Sequence, residues 1–168
     1  MKQEFSTRTA ALDDALGAGR CFDMTARDLT IGGRRARLWV VNGYAQESIL
    51  ERMIAQWLAA PDLTDMKTPD AFLQSFVTAC DAAVCLKKEE AVLGVLSGKT
   101  LLVVDGWDGG ILMDVKQFPT RSIEEPDTSR VLRGSHDGFV ENLMQNAALL
   151  RRRIRDLSLI HISEPTRL

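Results

Sequence analysis

The chain has 168 residues, 45% hydrophobic and 26% charged, with a formal net charge of −2. That length suits one domain or two small half-domains, and the apolar content excludes a disordered chain. The mild acidity argues against a dedicated nucleic-acid binder, and no run approaches the ~18 uninterrupted apolar residues that a spanning helix needs.

Residues 1–20 carry early acids and no apolar segment, so they are expected to form a polar N-terminal arm or short helix and not a signal peptide. Residues 21–31 lead into Gly32-Gly33, a turn signal. Residues 35–41 read as a strand, and the succession Leu38-Trp39-Val40-Val41 fits burial on both faces. Asn42-Gly43 breaks it. Residues 46–60 are predicted as a helix, with Ile49, Met53 and Trp57 at spacing 4 and Leu50, Ile54 and Leu58 beside them. Pro61 ends that helix.

Residues 68–80 read as a second helix. Thr68 is placed to cap it, Pro69 suits the first helical position, and Phe72, Phe76 and Val77 face inward. A short strand is expected over 82–86 and a helix over 87–96, stopped by Gly98. Residues 100–104, TLLVV, form a second buried strand ended by Asp105-Gly106. Gly109-Gly110 then turns the chain into 111–118, its antiparallel partner. Residues 119–132 are a polar, extended connector, and Pro126 bars a helix through it.

Residues 133–155, RGSHDGFVENLMQNAALLRRRIR, read as one long amphipathic helix. Phe139, Leu143, Ala147, Leu150 and Ile154 recur at spacings of 4, 4, 3 and 4 and make one stripe. Asp137 and Glu141 sit in the first turns, and Arg151, Arg152, Arg153 and Arg155 in the last. That order complements the helix dipole at both ends. Gly134 with either Ser135 or Asp137 supplies the start signal.

An internal echo links the two halves. Leu38 to Tyr44, LWVVNGY, matches Leu101 to Trp107, LLVVDGW, at an offset of 63. Each is a buried strand, a turn pair and an aromatic. The fold class expected is therefore α/β, with two small mixed α/β half-domains at residues 21–66 and 67–132. The helix at 133–157 closes them.

Candidate chemistry is sparse. Cys21, Cys80 and Cys85 are an odd number without paired spacing, and they read as small apolar residues in a reducing compartment. Residues 94–100, GVLSGKT, are one residue short of a phosphate loop, and here a helix feeds a strand, the reverse of the order such a loop requires. Asp105 and Asp108 are turn residues without an accompanying base. No nucleophile–base pair, metal set or dinucleotide fingerprint is found, so an enzyme is not expected, and neither is a cofactor.

The words Arg133-Gly134, Asp137-Gly138-Phe139, Glu141-Asn142, Asn146 and Leu150-Arg151-Arg152-Arg153-Ile154 resemble a segment of the GerA family, the A subunits of spore germination receptors. The family pattern there runs roughly R-G-P-R-E-G-F, then E and N, then L-I-R-R-R-I, and it is placed at the end of a soluble N-terminal domain. Ser135 replaces its proline, His136 its arginine and Asp137 its glutamate. Lys99, Thr100, Asp105-Gly106, Arg121, Ile123 and Glu125-Pro126 resemble an earlier block, and the strand–turn–helix around residues 35–60 a third. The resemblance covers roughly residues 20–157.

It implies the cytoplasmic domain of a receptor in the spore inner membrane, working in assembly and signal relay with B and C subunits and other A subunits. A membrane region would follow the arginines, which then sit where basic residues gather beside lipid. The alternative is a stand-alone regulatory or nucleic-acid-binding protein using the basic helix, although the acidity disfavours nucleic acid. Residues 158–167, SLIHISEPTR, resemble a translated sequencing adapter, so the tail at 158–168 is expected to be artefactual and the gene product to continue elsewhere.

Overall fold

The computed structural model describes residues 5–60, 62–63 and 66–116, together with Asn146 and Leu150. In order, the elements are α1 (Phe5–Leu16), β1 (Met24–Ile31), β2 (Arg34–Val41), α2 (Glu47–Leu58), α3 (Pro69–Phe76), β3 (Asp81–Cys85), α4 (Lys88–Leu96), β4 (Thr100–Val104) and β5 (Gly110–Asp114). The strands form one five-stranded sheet of order β1-β2-β4-β5-β3. Every neighbouring pair is antiparallel.

Burial on alternate sides fixes the layering. Along β4 all five residues are buried. Leu101 and Val103 join one apolar layer with Trp39 and Val41 of β2. Leu102 and Val104 join the opposite layer with Ala36 and Leu38. The first layer is closed by Leu12 and Leu16 of α1 and by Ala91, Val95 and Leu96 of α4. The second is closed by Met53, Ile54 and Trp57 of α2 and by Phe72 of α3. An antiparallel sheet often leaves one face in water, and this one has helices on both. That is why the LWVV and LLVV runs show no polar alternation.

The two expected half-domains meet inside this sheet. β2 of the first half pairs with β4 of the second, through Ala36–Val104, Arg37–Val103, Leu38–Leu102 and Trp39–Leu101. Strands from both segments belong to the one five-stranded sheet. The repeated turns are locally alike: the Tyr44 amide donates to the Val41 carbonyl at 3.2 Å, and the Trp107 amide to the Val104 carbonyl at 3.3 Å. The two aromatics then diverge. Tyr44 packs into the α1/α4 layer and Trp107 into the α2/α3 layer.

Other differences from expectation have plain causes. Residues 24–31 form β1, an edge strand paired along its length with β2. Its exposed Arg27, Asp28 and Thr30 hid it in the sequence. The helix predicted over 68–80 stops at Phe76, where Val77 leaves helical geometry (φ −120°, ψ 72°) and the chain runs on to β3. Thr68 stands at the cap position but makes no side-chain capping bond. β5 ends at Asp114, and Lys116 makes an isolated bridge to Ala45. α1 is the short-helix alternative expected for the N-terminal residues, and its Leu12 and Leu16 lie in the core. The connector, the tail at 158–168 and the long C-terminal helix lie outside the described residues, except that Asn146 and Leu150 are helical and half-buried.

Candidate interaction surface

The family-motif positions Arg133, Gly134, Asp137, Gly138, Phe139, Glu141, Asn142, Arg151, Arg152 and Arg153 lie outside the described residues, whereas Asn146 is helical and half-buried. Two charged groupings among the described residues link separate elements at the α1 and hairpin side of the sheet.

The first binds α1 to β2. Arg37 reaches Asp13 of α1 at 3.0 Å and Asp28 of β1 at 2.8 Å. Asp13 also accepts the indole N–H of Trp39 at 2.8 Å. Trp39 is fully buried, so its N–H needs that acceptor. We expect Asp13→Ala to cost about 1–3 kcal/mol, since the buried indole donor of Trp39 loses its acceptor and the part-buried Arg37 guanidinium keeps only Asp28 of its two carboxylates. Chemical denaturation of the variant checks this. A change within experimental error would mean that water replaces the carboxylate freely.

The second feature is the end of the sheet where the β1–β2 turn, the β4–β5 turn and residues Leu63, Met66 and Lys67 converge. Gly32 and Gly33, with φ +50° and +77°, form the two-residue hairpin turn that demands left-handed backbone. The Leu63 backbone lies against this turn; a Cβ on Gly32 would come within 2.7 Å of the Leu63 nitrogen. The Met66 carbonyl accepts the Trp107 indole N–H at 2.9 Å and Arg34 Nη1 at 3.4 Å. Arg35 holds Asp105 through Nη2 and Nε at 2.8 and 3.1 Å, and its guanidinium lies 5.1 Å from the centre of the Phe5 ring. Arg8 donates to the Trp107 carbonyl at 2.6 Å, and burial lowers its pKa, partly offset by Asp108 and Asp105. A depression of about 500 Å³ opens here, lined by Gly33, Arg34, Arg35, Lys67, Asp105 and Gly106.

Sequence reasoning missed this assembly. Its cations are split between residues 34–35 and 67, and only the fold joins them. Among the described residues, no group of three or more His, Cys, Asp or Glu side chains is placed to hold a metal ion. None of Cys21, Cys80 and Cys85 is in a disulfide. Burial, reinforced by Asp114 and Asp81, raises the pKa of Cys80, and burial and Glu90 raise that of Cys85, so neither is disposed to act as a thiolate. No helix of the described residues is long and apolar enough to cross a membrane.

The profile of the Bacillus/Clostridium GerA spore germination protein family matches residues 10–163. The chain belongs to the GerA family. Two curated GerA-like relatives are from Bacillus subtilis (strain 168). Stage V sporulation protein AF is 33% identical over 144 residues, covering 84% of this chain and 29% of that protein. Spore germination protein B1 is 32% identical over 127 residues, covering 76% and 26%. The chain thus spans under a third of the length of these relatives.

The fold is similar to that of the N-terminal domain of the A subunit of the Bacillus megaterium spore germinant receptor GerK3, with a TM-score of 0.66 at 18% identity. That likeness covers 92% of this chain and 56% of the solved one. The GerA profile extends into the tail, ending at residue 163.

Proposed function

We propose that this chain is part of the N-terminal domain of a germinant receptor A subunit, serving assembly and signal relay without catalysis. The profile match over residues 10–163 carries the reading. The fold supports it, because it resembles a domain solved from such a subunit. In this reading the domain sits on the cytoplasmic side of the spore inner membrane and works beside B and C subunits and other A subunits.

The juxtamembrane reading of Arg151, Arg152 and Arg153 takes no support from the solved relative. The unmatched part of that chain belongs to the same N-terminal domain. Arg133, Gly134, Asp137, Gly138, Phe139, Glu141, Asn142 and Asn146 are proposed to form a contact surface within the receptor.

The test uses the full-length gene in a spore former. Spores carrying the intact gene, or one lacking the segment for residues 10–157, are compared for recovery of B and C subunits with the tagged A subunit. The same spores are exposed to nutrient and their loss of optical density followed. The proposal expects both recovery and response to fall on deletion. A deleted receptor that assembles and responds like the parent would refute it.

A further inference from the structure

The hairpin end of the sheet concentrates positive charge in a chain whose net charge is −2. Arg34 and Arg35 open β2 and belong to opposite faces of it, because neighbouring strand residues alternate. Lys67 follows Met66, whose carbonyl meets Arg34, and all three cations line one depression. Arg35 is paired with Asp105, so one cation of the three is neutralised in place. Arg34 and Lys67 have no ion-pair partner among the described residues, and the Arg34 contact with the Met66 carbonyl is long at 3.4 Å.

The rest of the depression is short of side chains. Gly33 and Gly106 contribute bare backbone to its wall. A Cβ on Gly33 would meet nothing within 4 Å, and one on Gly106 only the Arg34 guanidinium at 3.7 Å. A ligand can therefore approach the main chain between the cations. The volume, about 500 Å³, fits a small solute. The surroundings are anchored: the Trp107 indole holds the Met66 carbonyl, and Arg35 is clamped by Asp105.

We propose that this depression binds a phosphate-type oxyanion. A guanidinium presents paired N–H groups matched to phosphate oxygens, and an ammonium adds a mobile point charge. Arg34 and Lys67, the two cations without a carboxylate partner among the described residues, match a dianion. The chemistry is that of a phosphate group, carried by a free phosphorylated solute or by an anionic lipid headgroup. This site goes beyond the receptor reading and stands whether or not that reading survives.

Amide spectra of the 168-residue chain are recorded during titration with inorganic phosphate, against chloride at matched ionic strength. Pelleting with phosphatidylglycerol vesicles is measured in parallel. The variants are Arg34→Gln with Lys67→Gln together, Lys67→Gln alone, and Arg27→Gln as an exposed control on β1. Lys67 is exposed, so its single variant keeps the fold readable if the double variant unfolds.

Saturable shifts at Gly33, Lys67 and Gly106 should weaken about tenfold or more in the double variant, and partly in Lys67→Gln, while Arg27→Gln binds as the parent does. That result identifies a soluble phosphate as sufficient. Vesicle pelleting that needs Arg34 and Lys67, with no response to free phosphate, also supports the site and names the headgroup as its source. No saturable response in either assay overturns the proposal. So does binding that is equal in the parent, Lys67→Gln and, where folded, the double variant.

Discussion

Trp107→Ala should destabilise the domain by about 3–5 kcal/mol, the range for removing a fully packed aromatic from a core. Trp107 is 2% exposed. Its ring lies 5.1 Å from that of Phe72, tilted by 58°, within the aromatic group that Trp57 and Phe76 complete. Its indole N–H satisfies the Met66 carbonyl. Truncation therefore empties volume, breaks ring contacts and frees the segment over the hairpin together. Trp107→Phe separates these effects. It keeps most of the ring contacts and loses the donor, so about 1–2 kcal/mol is expected. Urea unfolding of both variants decides the matter. An alanine variant within about 1 kcal/mol of the parent would show that the α2/α3 layer closes over the space.

Gly109→Ala should cost about 3 kcal/mol or more, from two independent sources. At φ +106° an L side chain is strained, typically by 1–3 kcal/mol. The added Cβ would also lie 2.6 Å from the Cys85 carbonyl oxygen. That oxygen belongs to backbone held in the ladder, where Cys85 faces Gly110, so relief requires β3 to shift against β5. Gly33→Ala is the control. It meets no atom within 4 Å at φ +77° and should cost only the backbone strain, about 1–2 kcal/mol. Thermal unfolding of the pair reads the difference. Equal losses would mean that the crowding at Cys85 is relieved without disturbing the sheet.

The residues that were legible in advance are those whose neighbours leave one physical option. TLLVV, buried on both faces, cannot be anything but an interior strand once Asp105-Gly106 ends it. Met53 and Trp57 set the inward side of α2 by spacing alone. β1 escaped notice because an edge strand tolerates Arg27 and Asp28 facing water, which erases the alternation. The oxyanion site was invisible for a different reason. Arg34 and Lys67 are made neighbours by Met66 folding over the hairpin, and no local pattern encodes a contact of that range. Family membership was legible through the block at residues 133–154, whose own structure lies outside the described residues.

The β2–β4 seam has a consequence for the order of events when the chain folds. β1–β2 and β4–β5 are joined by short turns and close small loops. Ala36, however, must find Val104 across the whole intervening chain. Long closures are entropically expensive before any contact rewards them, so topologies that depend on them are slow. The meeting of the two hairpins at Leu38 and Leu102 is therefore the encounter expected to limit the rate. Shortening Leu38 or Leu102 should slow refolding, while shortening Val84 on the β3 edge should chiefly speed unfolding. Stopped-flow refolding and unfolding arms of these variants read that partition directly, and a slowed refolding arm for Val84 instead of Leu102 would move the encounter to the other side of the sheet.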